Sequence, residues 1–86
     1  MNIKTLTFYD YFTGGTYPKE PFFFDANICD IENTVLAAIK NLPDNCIGMS
    51  VRYDSGYKTR ATCIRYAKET GFLIRFVLLY KGLYWS

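Results

Sequence analysis

The sequence predicts a small two-layer α+β domain of order β-β-α-β-β-β, with a mostly antiparallel sheet of four to five strands and one helix, at about residues 28–41, packed on one face. Three observations lead there. Residues 3–12 are β-branched and aromatic, and residues 46–53 alternate apolar with small or polar side chains, both in the manner of strands. Ile28, Ile31, Val35, Ile39 and Leu42 recur at steps of three and four, the spacing of one helical stripe. Glycine-bearing segments at 14–15, 54–56 and 68–71 stand where an antiparallel chain would turn. All 86 residues form a single domain, since the chain contains no repeat, linker or low-complexity tract.

Each element has its own justification. Leu6, Phe8 and Phe12 fall on one side of the first strand's pleat, and Gly14-Gly15 can supply the positive φ angles of a tight turn. The chain then returns through 17–24 as an edge, because Pro18 and Pro21 cannot donate to a ladder. Asn27 and Asp30 offer a cap for the helix, Glu32 favours its positive end, and Pro43 stops it. Asp25, Asp30 and Glu32 are accounted for by that helix start. In the next strand Ile47, Met49, Val51 and Tyr53 share one face, with Gly48, Ser50 and Arg52 on the other. A three-residue hairpin at 54–56 sets Val51 opposite Thr59, and a four-residue loop at 68–71 returns a last strand from Leu73. The helix covers one face of this sheet. The other then carries Arg52, Lys58, Arg60, Ile64, Tyr66, Leu73, Arg75 and Val77.

Composition narrows the chemistry. Half of the residues are hydrophobic and net charge is only +2, which is incompatible with disorder. There is no histidine, so ordinary Ser-His or Cys-His catalysis is excluded and the commonest metal ligand is missing. Cys29, Cys46 and Cys63 lack the close pairing of a zinc site and read as small buried hydrophobes. No catalytic, cofactor-binding or metal-binding set is expected, and the chain is read as non-enzymatic. The odd cysteine count and the absence of a secretory leader or ~20-residue apolar run point to the cytoplasm, with no membrane contact. Charge is uneven: residues 1–45 carry three lysines against six carboxylates, and residues 46–86 carry seven cations, including all four arginines, against two. Such asymmetry speaks of an electrostatic partner.

Arg52, Lys58, Arg60, Tyr66, Arg75 and Trp85 are therefore the expected partner-binding residues, because Arg, Tyr and Trp dominate interface hot spots. Single-stranded nucleic acid is an alternative ligand of the same face, through phosphate neutralisation and base stacking. Gly71-Phe72-Leu73-Ile74-Arg75-Phe76 faintly resembles the third-strand motif of RNA-recognition-motif domains. The block bearing Arg52, Lys58, Arg60, Arg65 and Tyr66 is similar in outline to ribosome-dependent mRNA interferase toxins, which work with Arg, Lys and Tyr. In size and composition the chain resembles small phage or mobile-element proteins such as anti-CRISPR inhibitors. That resemblance implies an inhibitor or adaptor acting on a host protein or nucleoprotein complex. An acidic first half and a basic second half also allow a homodimer.

Overall fold

The computed structural model describes residues 3–78. Four strands alternate with three helices in the order β1 (Lys4–Thr7), α1 (Phe8–Gly14), β2 (Phe22–Ile28), α2 (Glu32–Lys40), β3 (Cys46–Arg52), α3 (Tyr57–Thr70) and β4 (Leu73–Val77), with a 3-10 turn at Tyr53–Ser55. The sheet order is β1-β2-β3-β4, and every neighbouring pair is parallel. This overturns the expected mostly antiparallel sheet with a single helix. Parallel neighbours cannot be joined by tight turns, so each connection has to be a crossover, and each crossover carries one helix. Right-handed crossovers taken three times in the same direction put all the helices on one face.

Local chemistry explains the two helices missing from the sequence-based expectation. The Thr7 hydroxyl accepts the Asp10 N–H at 3.0 Å, while Gly15, at φ 75°, donates its N–H to the Tyr11 carbonyl at 2.7 Å. Both ends of Phe8–Gly14 are thus capped, and an aromatic run with strong strand propensity becomes a helix. In α3, Thr59, Thr62 and Cys63 are buried on one stripe and Tyr66 follows half-buried. Gly71 is its left-handed cap at φ 80°, donating to the Ala67 carbonyl at 2.9 Å. The anticipated turn at 68–71 is this helix end, and the anticipated hairpin at 54–56 is the 3-10 turn leading into α3. Phe22–Phe24 belong to an interior strand between β1 and β3 rather than to an edge. The helix expected at 28–41 starts later, at Glu32, with the Asp30 carboxylate accepting the Ile31 N–H at 2.7 Å.

The core lies between sheet and helices. The register lines up Leu6, Phe24, Met49 and Ile74 across four strands, and Val35, Ile39 and Cys63 pack on them from α2 and α3. Phe22 is completely buried. A bulge at Ile47, between the pairs Phe22–Cys46 and Phe23–Gly48, lets Cys46 stay in the core while Gly48 passes to the opposite face. Burial pushes the Cys46 and Cys63 thiols above the ordinary thiol range, whereas Cys29 is exposed.

Candidate binding surfaces

No helix covers the second face of the sheet among the described residues, and the parallel register arranges that face in rows. One row runs Thr5, Phe23, Gly48, Leu73. The next brings Thr7, Asp25, Ser50 and Arg75 together. In that second row the Ser50 hydroxyl donates to Asp25 Oδ1 at 2.7 Å, and Arg75 reaches the same carboxylate oxygen at 3.4 Å. The Arg75 guanidinium also sits 4.7 Å over the Phe23 ring. Ser50 in turn accepts the N–H of Asn27, a left-handed residue at φ 49° where β2 changes register with β3. Ser50 is fully buried beneath these groups. Replacing it by alanine strips the Asn27 N–H and the Asp25 carboxylate of a partner at once, with an expected loss of about 1–3 kcal/mol in urea unfolding.

The expected contact residues are divided by this topology. Arg52 and Arg75 lie on the helix-free face, and Arg52 is held by Asp54 at 2.9 and 2.5 Å. Lys58 and Arg60 belong to α3, on the other layer. Tyr66 is on the inner side of that helix, edge-on to Phe72 at 6.0 Å, and is a packing residue. Trp85 lies outside the described residues. Of the three carboxylates read as a helix start, Asp30 and Glu32 do stand at the start of α2, while Asp25 does not. Asp25 serves the sheet row, the Asp30 carbonyl accepts the Thr59 hydroxyl at 3.0 Å, and Glu32 accepts the Thr62 hydroxyl at 2.7 Å. Part of the charge asymmetry is therefore satisfied within the chain.

What α3 presents outward is a stripe at steps of four, three and four: Tyr57, Ala61, Ile64 and Lys68, flanked by Lys58, Arg60 and Arg65. Tyr57 is 76% exposed and Ile64 45%. Arg60 is fixed in place, its guanidinium 4.0 Å over the Tyr53 ring and donating to the Tyr53 carbonyl at 2.7 Å. Lys58, Arg65 and Lys68 have no carboxylate within 4.0 Å among the described residues. The sequence-based choice leaves out Tyr57 and Lys68 and sets Ile64 on the sheet face, because it reads 57–66 at a period of two and 68–71 as a loop. The same residues at a period of 3.6 show the stripe.

A recess of about 420 Å³ opens between α1, α2 and the sheet, lined by Phe8, Tyr11, Tyr17, Phe24, Ala26, Ile28, Ala38, Leu42 and Met49. Tyr11 and Tyr17 stack at 4.5 Å within it. Burial, and then the adjacent Tyr11 hydroxyl, push the Tyr17 phenol up to about 12. The neutral phenol is the form the fold favours, so its contribution is complete below the ordinary pKa near 10 and is lost as pH rises towards 12. Urea midpoints should consequently fall more steeply between pH 10 and 12 in the wild type than in Tyr17→Phe. Equal slopes would show that Tyr17 titrates as an ordinary tyrosine.

Among the described residues no helix is long and apolar enough to cross a membrane. No protein-family model, curated protein or solved structure matches the chain.

Proposed function

We propose that this chain is a small non-enzymatic protein-binding module, an inhibitor or adaptor of the kind that small phage and mobile-element proteins exemplify. It acts on a larger host protein or nucleoprotein complex through the outer face of α3. The observation that carries the reading is the composition of that face: an exposed tyrosine, Tyr57, at the start of the helix and an exposed isoleucine, Ile64, at its middle, interspersed with four cations against a single Glu69. Exposed tyrosine and arginine beside an aliphatic anchor are the residue types of an interface hot spot. Arg60, already immobilised on Tyr53, loses little side-chain freedom when a partner docks. The partner's complementary patch is acidic, since Lys58, Arg65 and Lys68 have no carboxylate within 4.0 Å among the described residues.

The test is affinity capture of a stoichiometric partner from host lysate by the full chain and by a Lys58→Glu/Arg65→Glu/Lys68→Glu variant. These side chains are exposed, so the variant is expected to keep its helical signal while capture falls about tenfold or more. Undiminished capture by the variant would remove α3 as the contact. Four cations on one helix also suit phosphate, and recovery of nucleic acid alone, with affinity falling log-linearly with salt, would replace the protein partner by single-stranded nucleic acid.

A further inference from the structure

We propose that the recess between α1, α2 and the sheet is a binding site for a small neutral aromatic molecule of two or three fused rings that carries one hydrogen-bonding group. The inference is independent of the α3 reading and uses none of its residues.

Small side chains and a short helix make the opening. Along the side of β2 that packs on the core the side chain shrinks from Phe24 to Ala26, and α2 contributes Ala38 to the same recess. Longer side chains at either alanine would fill it. The first helix cannot close it, since its seven residues are about 10 Å long at ~1.5 Å each and none of them is buried. Phe8 belongs to the lining and is nevertheless 54% exposed, which places it at the mouth.

Volume and lining together set the ligand. About 420 Å³ falls in the range of small-molecule sites. An apolar cavity of about 150 Å³ holds one benzene ring, so this recess has space for roughly two or three fused rings. A partner helix, about 10–12 Å across with its side chains, is wider than a cube of the same volume, which measures roughly 7–8 Å. No charged side chain is among the described residues that line it, so a charged ligand would lose its water without gaining a counter-charge. The aromatic wall suits a flat ring. Tyr11 and Tyr17 lie 4.5 Å apart at 20°, and Phe24 stands across them at 6.0 and 6.1 Å, with interplanar angles of 67° and 87°. Faces and edges are both on offer to a further ring, with the Met49 thioether also in the lining. The lining side chains carry oxygen only in the two adjacent phenols, each able to donate or accept. One polar group on the ligand is what such a pair can satisfy.

Naphthol, a neutral two-ring probe with one hydroxyl, tests the site by amide NMR titration of the full chain. Amide shifts in α1 and at Ala26 and Ala38 should move saturably, with half-saturation below about 1 mM, while those along the outer face of α3 stay in place. Ala38→Phe fills the recess and should weaken binding about tenfold or more while circular dichroism stays native. Tyr11→Phe/Tyr17→Phe keeps both rings and removes both hydroxyls, and should cost naphthol about fivefold in affinity. The Lys58→Glu/Arg65→Glu/Lys68→Glu variant should bind it as the wild type does. The proposal falls if no amide of the recess moves, if Ala38→Phe binds naphthol undiminished, or if removing both hydroxyls changes nothing. Protection of the same amides by a captured protein, with naphthol failing to compete, would also overturn it and make the recess a pocket for a partner's side chain.

Discussion

Phe22→Ala is expected to cost about 3–5 kcal/mol, enough to leave a domain of this size largely unfolded at room temperature. Phe22 is completely buried in the interior strand β2, between Lys4 of β1 and Cys46 of β3. Its ring stacks on Tyr17 at 5.7 Å, and its N–H donates to the Asn45 carbonyl at 3.1 Å. Removing the ring opens a void at the meeting point of both layers. Tyr17, held against Phe22 on one side and Tyr11 on the other, would have to leave that stack to fill it. Urea unfolding followed by circular dichroism measures the effect. A loss under about 1 kcal/mol would mean that the core is not organised around β2.

Gly48→Val is the second large effect, and here the cause is crowding. A Cβ at residue 48 lies 2.6 Å from the Leu73 carbonyl oxygen, which is backbone and cannot swing away. Leu73 and Phe23 close the remaining directions at 2.7 and 2.9 Å. Either β4 separates from β3 or the bulge at Ile47 has to be redrawn, and overpacking of this kind costs about 1–3 kcal/mol, occasionally more. Gly48→Ala should show the lower part of that range. Both variants should also weaken amide protection in β4 relative to β2 under hydrogen exchange, because the conflict is with Leu73's backbone. Equal stability of the valine variant and the wild type would contradict the close β3–β4 approach.

How far the sequence carries depends on which residues are asked. Its strand at 46–53 corresponds to β3, and the predicted division holds in part: Met49 and Val51 are in the core and Gly48, Ser50 and Arg52 face away, but the bulge puts Cys46 in the core in place of Ile47, and Tyr53 lies beyond the strand in the 3-10 turn, half-exposed. Of the five residues picked out by helical spacing, Val35 and Ile39 are buried on α2, whereas Ile28 belongs to β2, Ile31 is exposed before the helix and Leu42 follows its end. Residues 57–66 failed because their pattern is ambiguous. Alternation places Thr59, Ala61 and Cys63 together as a strand would, while Thr59, Thr62, Cys63 and Tyr66 share a stripe in a helix, and the cap at Gly71 mimics a turn. Residues 8–12 failed because aromatic strand propensity is weaker than two caps acting together at Thr7 and Gly15.

The candidate contacts shifted for the same reason. Lys58 and Arg60 were grouped with Arg52 and Arg75 on one sheet face, and a helix in place of a strand moves the first two to the opposite layer. The Asp25–Ser50–Arg75 row had no signal in the sequence, since its members are 25 residues apart at each step and meet only through parallel register.

By itself the sequence determined composition and charge distribution: no histidine, half its residues apolar and most of its cations after residue 46. Local spacing sufficed to place β3 and the buried pair Val35 and Ile39 of α2. The tertiary structure decided whether the strands run parallel, and through that which face the helices take and where each arginine points. Strand direction is chosen by pairings between residues far apart in the chain, whose free energy is spread over the whole sheet and leaves no mark in any short window of sequence.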